Sequence, residues 1–196
     1  PWPQHYLDAV MAGCSRYELP DWDMEMHLVF LDALVLSLSL GCRKVELPRY
    51  MLSHFVWLDP DLVEIEPTAS NLARVTDGYW LRLSPVRSKT DYDNAKWGST
   101  RMWFKVDQSE PWSLAARAIA RERRWPCQPA DRHRTPFLVN PQEAFSAVTG
   151  AALVRWLEYV KSVYVVADIA AFLTWHASRV TLASKLVKLR HSWERV

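Results

Sequence analysis

The sequence predicts an α+β domain, mainly helical, with a small three-stranded antiparallel sheet set between two groups of helices. Two patterns lead there. The run 28–40 is almost wholly apolar, and 112–125 is rich in Ala, Arg and Glu, both in the manner of helices. Between them, 62–66, 79–86 and 101–106 alternate or are aromatic and β-branched, as strands are, with Gly78 and 91–99 as turn material. A chain of 196 residues, 49% hydrophobic and 23% charged, is long enough to bury a real core, so 1–196 reads as one domain.

Taken in order, 22–40 is a largely buried helix with Asp21 as N-cap and Gly41 as stop. A short helix over 45–55 tolerates Pro48 in its first turn. The three strands follow. The helix at 112–125 ends at Pro126. A basic irregular connector, 127–134, leads to an extended piece at 135–139, then to helices at 149–163 and 175–189. Residues 165–173 are apolar without a decisive period. Trp57, Trp80, Trp103, Trp156 and Trp175 lie among aliphatic residues and are expected in the core rather than as base-stacking platforms.

The net charge of +2 hides an asymmetry: residues 1–66 hold 4 Lys/Arg against 11 Asp/Glu, and the rest hold 20 against 11. A basic field over two thirds of the chain suits a polyanionic partner, and equally an ordinary solvated surface of uneven charge. Cys14, Cys42 and Cys127 have no CxxC spacing, which argues against a disulfide framework or zinc site and for a reducing, intracellular setting. The apolar run 28–40, broken by Asp32, Ser37 and Ser39, is too short to span a membrane. With no initiator Met, the chain reads as an excised piece of a longer protein.

Three separated stretches carry the chemistry. In Gly41-Cys42-Arg43-Lys44-Val45-Glu46-Leu47 an arginine follows a helix stop, with an acid three residues on. In Arg87-Ser88-Lys89-Thr90-Asp91 a lysine sits between a strand and a polar turn. In Thr174-Trp175-His176-Ala177-Ser178-Arg179-Val180-Thr181-Leu182-Ala183, the three-residue spacing sets His176 and Arg179 on one helical face. Two arginines, a lysine and a histidine converging on one point suit a phosphodiester whose charge builds during displacement.

In this order the three stretches resemble the phosphate-gripping half of a tyrosine recombinase or integrase active site. The resemblance implies that catalytic-domain fold, with double-stranded DNA as partner, no membrane, and neither metal nor other cofactor. It implies that Arg43 and Arg179 clamp the scissile phosphate and that His176 assists proton transfer. Lys89, with Lys96 as competitor, would protonate the leaving 5′-oxygen, a role suited to a lysine among cations. Glu46 would hold the Arg43 guanidinium. Arg87 is read with them as a DNA contact; separately, Arg117, Arg121 and Arg124 recur at helical spacing and either track a duplex backbone or form a solvated helix face.

The family's nucleophilic tyrosine follows its second box, whereas Tyr164 is the last tyrosine here and the chain ends 17 residues after Arg179. This piece is therefore expected to be incompetent for cleavage, and assembly on DNA would use segments beyond it. Two other readings stand beside it: a non-catalytic DNA-binding remnant of the fold, and an unrelated α+β protein-interaction domain in which Arg43, Lys89, His176 and Arg179 scatter.

Overall fold

In the computed structural model, α1 (Met24–Leu40) is apolar on almost every face and accordingly buried from Val29 to Leu36. The structure describes residues 3, 5, 8, 10, 11, 24–86, 100–143, 146–164, 173–177, 180 and 181. Asp21, the expected N-cap of α1, lies outside them, as do Cys14, the turn 91–99 with Lys96, and residues 165–172. The element order mixes helices with a three-stranded antiparallel sheet, the coarse class the sequence predicts. The chain divides into two compact units: a terminal unit of 1–47 with 140–196, and a central unit of 48–139.

In the terminal unit, α1 carries three buried polar residues, His27, Asp32 and Ser37. The His27 Nε2 lies 2.9 Å from the Val10 carbonyl, and the Ser37 hydroxyl donates to the Cys42 carbonyl at 3.4 Å, so these groups keep partners away from water. The chain returns through a two-stranded pairing, Val139–Asn140 with Ser146–Ala147, into a second long helix, Gly150–Tyr164. Thr149 accepts the Ala152 N–H on its hydroxyl at 3.1 Å, which satisfies one of the donors a helix start leaves open. Residues 175–177, 180 and 181 are helical, within the expected 175–189.

The central unit corrects two expectations. No helix spans 45–55; instead two 3₁₀ turns, Leu47–Arg49 and Leu52–His54, lead into β1 (Phe55–Leu58). Pro48 has no N–H to give, and the Leu52 and Ser53 N–H groups donate to the carbonyls of Thr135 (2.9 Å) and Arg132 (3.1 Å) rather than to their own helix. Residues 62–66 do not form the first strand. The Asp59 carboxylate accepts the N–H groups of Asp61 and Val63, both at 2.9 Å, and Leu62 takes φ 64°, so this stretch is a turn that touches β1 through the single Leu58–Glu64 bridge.

β1 pairs antiparallel with β2 (Trp80–Leu83), and β2 with β3 (Met102–Lys105), in the order β1-β2-β3. Phe55, Trp57, Leu81 and Leu83 turn inward and are buried, and Trp57 donates its indole N–H to Glu122 of α3 (Leu114–Arg124). Phe55 and Phe137 stack with ring centroids 4.3 Å apart. Ser113 caps α3 by accepting the Ala116 N–H at 3.2 Å. A further short helix, α2 (Ala69–Arg74), is capped by Thr68.

Candidate functional site

Arg43 owes its position to the end of α1. Gly41 takes φ 62°, a conformation that costs other residues a Cβ clash, and its N–H donates back to the Ser37 carbonyl at 2.9 Å. The chain then turns: the Glu46 N–H donates to the Arg43 carbonyl at 2.8 Å, and the Glu46 carboxylate accepts the Arg43 N–H at 2.7 Å. Glu46 therefore holds the Arg43 backbone and not its guanidinium, which corrects the role expected for it. The half-buried Arg43 keeps its Nη1 out of solvent with no hydrogen-bond partner. A buried donor in that state seeks an acceptor, and a charged donor seeks an anion most strongly.

His176 is set by the residues around it. Thr174 accepts the Ala177 N–H on its hydroxyl at 3.1 Å and so caps the helical turn. Trp175 is buried, donates its indole N–H to the Leu153 carbonyl at 3.0 Å, and meets Phe30 edge to face at 5.8 Å. With Trp175 anchored inward, its neighbour His176 is left exposed.

Both residues line one pocket of about 460 Å³, lying entirely within the terminal unit. Lys44 adds a third basic side chain, while Val45, Val154, Leu157 and Trp175 form apolar wall. The acid of the lining is Glu158, whose two carboxylate oxygens accept from Lys161 Nζ at 2.8 and 2.9 Å. A volume of this order accommodates a small anionic group and what is attached to it. Lys44 and Glu158 were not singled out in the sequence. Lys44 was readable as the neighbour of Arg43, whereas Glu158 reaches the pocket through tertiary packing alone.

Lys89, Arg87 and Arg179 lie outside the described residues. The three helical arginines lie on α3 in the central unit. Arg121 is only 2% exposed, and its guanidinium donates to the carbonyls of Phe137, Trp125 and Pro136, each at 2.9 Å. It belongs to the core and cannot follow a duplex backbone, because its donors are already spent on protein carbonyls. Arg124 lies over the Trp125 ring at 4.3 Å, and Arg117 is half-buried.

Among the described residues no group of His, Cys, Asp or Glu side chains is placed to hold a metal ion, and no helix is long and apolar enough to cross a membrane. Comparisons with family models, with curated proteins and with solved structures found no match.

Proposed function

We propose that the pocket of Arg43 and His176 grips a phosphodiester of double-stranded DNA, and that the chain is part of a DNA strand transferase of the tyrosine-recombinase type. The observation that carries the reading is that Arg43 and His176, from opposite ends of the chain, line the same pocket with Lys44. The buried, unpartnered Arg43 Nη1 supports an anionic occupant, since an arginine fork matches two phosphate oxygens. Lys161 offsets Glu158, so the lining as a whole remains suited to negative charge.

In this reading Arg43 holds the non-bridging oxygens and His176 donates a second hydrogen bond to the charge that grows on them. Arg179 completes the clamp, and Lys89 supplies the proton to the leaving oxygen. The work of these groups is electrostatic, because stabilising developing charge in a partly enclosed site lowers the barrier without a bond to the protein. The bond-making step belongs to a tyrosine nucleophile.

A double-mutant cycle tests the reading. Arg43→Ala and His176→Ala each weaken binding of a labelled DNA duplex, and the double variant weakens it by less than the product of the two, as for groups sharing one phosphate. Strictly independent effects, or none, favour the protein-interaction reading.

A further inference from the structure

The outward face of the central sheet bears a tryptophan where the sequence pattern places a core residue. Along β2, Leu81 and Leu83 are fully buried while Trp80 and Arg82 alternate to the other side. The register sets Arg82 opposite Trp103 and Trp80 opposite Lys105. Trp103 is 45% exposed and is the one aromatic among the exposed large hydrophobic side chains of the described residues. Leaving an indole this open forgoes part of the stabilisation its burial would give, which suits a surface completed by a partner.

What surrounds the ring names the occupant. The Arg82 guanidinium lies over Trp103, 5.8 Å from the centroid, and is held by an ion pair with Glu64. Glu64 offsets the charge of Arg82, but Lys105 on β3 and Arg101 just before it are exposed and keep the face basic. An aromatic face flanked by cations matches the two parts of a nucleotide, the base by stacking and the phosphate by charge.

The geometry points to a single-stranded nucleic-acid contact on this face, with a base stacked on Trp103 and the adjoining phosphates met by Arg101 and Lys105. The surface belongs to the central unit, so the inference does not rest on the reading of the Arg43 pocket.

The test titrates the full chain into a short fluorescein-labelled oligodeoxythymidylate and follows anisotropy at low salt, then repeats it with an abasic strand of equal length. The thymidylate binds more tightly than the abasic strand. Trp103→Ala weakens thymidylate binding about tenfold, the scale of one base stack, while Trp103→Phe keeps most of it. Lys105→Glu weakens both strands. Circular dichroism of each variant matches the parent, and if Trp103→Ala does not fold, Trp103→Phe and Lys105→Glu with the abasic control still decide the matter. The inference is overturned by equal affinity for the two strands, or by a Trp103→Ala variant that folds and binds like the parent. Equal displacement of the oligonucleotide by polyglutamate also overturns it, as does loss of binding in Arg43→Ala but not in Trp103→Ala.

Discussion

Arg43 and Glu46 clasp each other through the main chain, the Arg43 N–H donating to the Glu46 carboxylate at 2.7 Å and the Glu46 N–H to the Arg43 carbonyl at 2.8 Å. The carboxylate is thus occupied with the backbone, and the guanidinium is left to the pocket. Glu46→Ala removes a charged acceptor from a partly buried N–H and lowers stability by about 1.5–3 kcal/mol in urea unfolding. Glu46→Gln, which keeps an acceptor oxygen, loses less. Both lower duplex affinity less than Arg43→Ala does, because they loosen the turn without removing the fork.

Two arginines of the central unit serve the fold. Arg132 is buried, paired with Glu122, and donates to the carbonyls of Leu52 at 2.8 Å and Phe55 at 2.9 Å; Glu122 also accepts the Trp57 indole N–H at 2.8 Å. Arg132→Ala leaves Glu122 charged and short of a partner, which destabilises by about 3–5 kcal/mol. Arg121→Ala likewise strands three carbonyls and lowers the melting temperature. Folded Arg121→Lys binds duplex DNA as the parent does, as expected of a residue with no surface to offer.

These arginines mark where the sequence stops being readable. Arg117, Arg121 and Arg124 recur at helical spacing, which looks like a basic stripe, yet the carbonyls that claim Arg121 come from Trp125 and a segment 15 residues away, and no local pattern announces them. Trp103 errs in the opposite sense. Its apolar neighbours suggest burial, but strand alternation sends it outward beside Arg82. The α1 stop at Gly41, the end of α3 before Pro126, and β2 and β3 were legible because turn chemistry and periodicity act locally. β1 was missed, with only its first residue, Phe55, inside the expected helix over 45–55, since pairing with β2 decides it. Of the site, Arg43 and His176 were legible from residue type and order, while the apolar walls on Gly150–Tyr164 depend on packing.

Acid weakens the central unit at His54. Burial holds its pKa below the ordinary 6.5, outweighing an opposing main-chain interaction with Met51. The unfolded chain then binds the proton more readily than the folded one. Stability therefore falls as pH drops below about 6.5 and levels off below the lowered folded value. His54→Gln flattens that part of the curve relative to the parent, as measured by urea unfolding at a series of pH values. An unchanged slope shows that His54 is not the group responsible.

Exposed Asp107 acts in a more acidic window. Its carboxylate accepts from the Ser109 hydroxyl at 2.6 Å and the Ser109 N–H at 3.0 Å, which hold its pKa below the ordinary 3.8. The contribution is present above that value and is lost as pH falls through the lowered one. Ser109→Ala raises the Asp107 pKa, which a carboxylate-resolved NMR titration reads directly.

The phosphate-gripping role of the Arg43 pocket is tested most directly by the salt dependence of duplex binding in the parent and in Arg43→Ala, followed by anisotropy. The account predicts that the parent loses affinity steeply as salt rises and that Arg43→Ala binds about tenfold more weakly at low salt. Its slope of log K against log salt is shallower by about 1, the signature of one phosphate contact removed. An Arg43→Ala variant that folds normally and reproduces the parent's affinity and slope contradicts it.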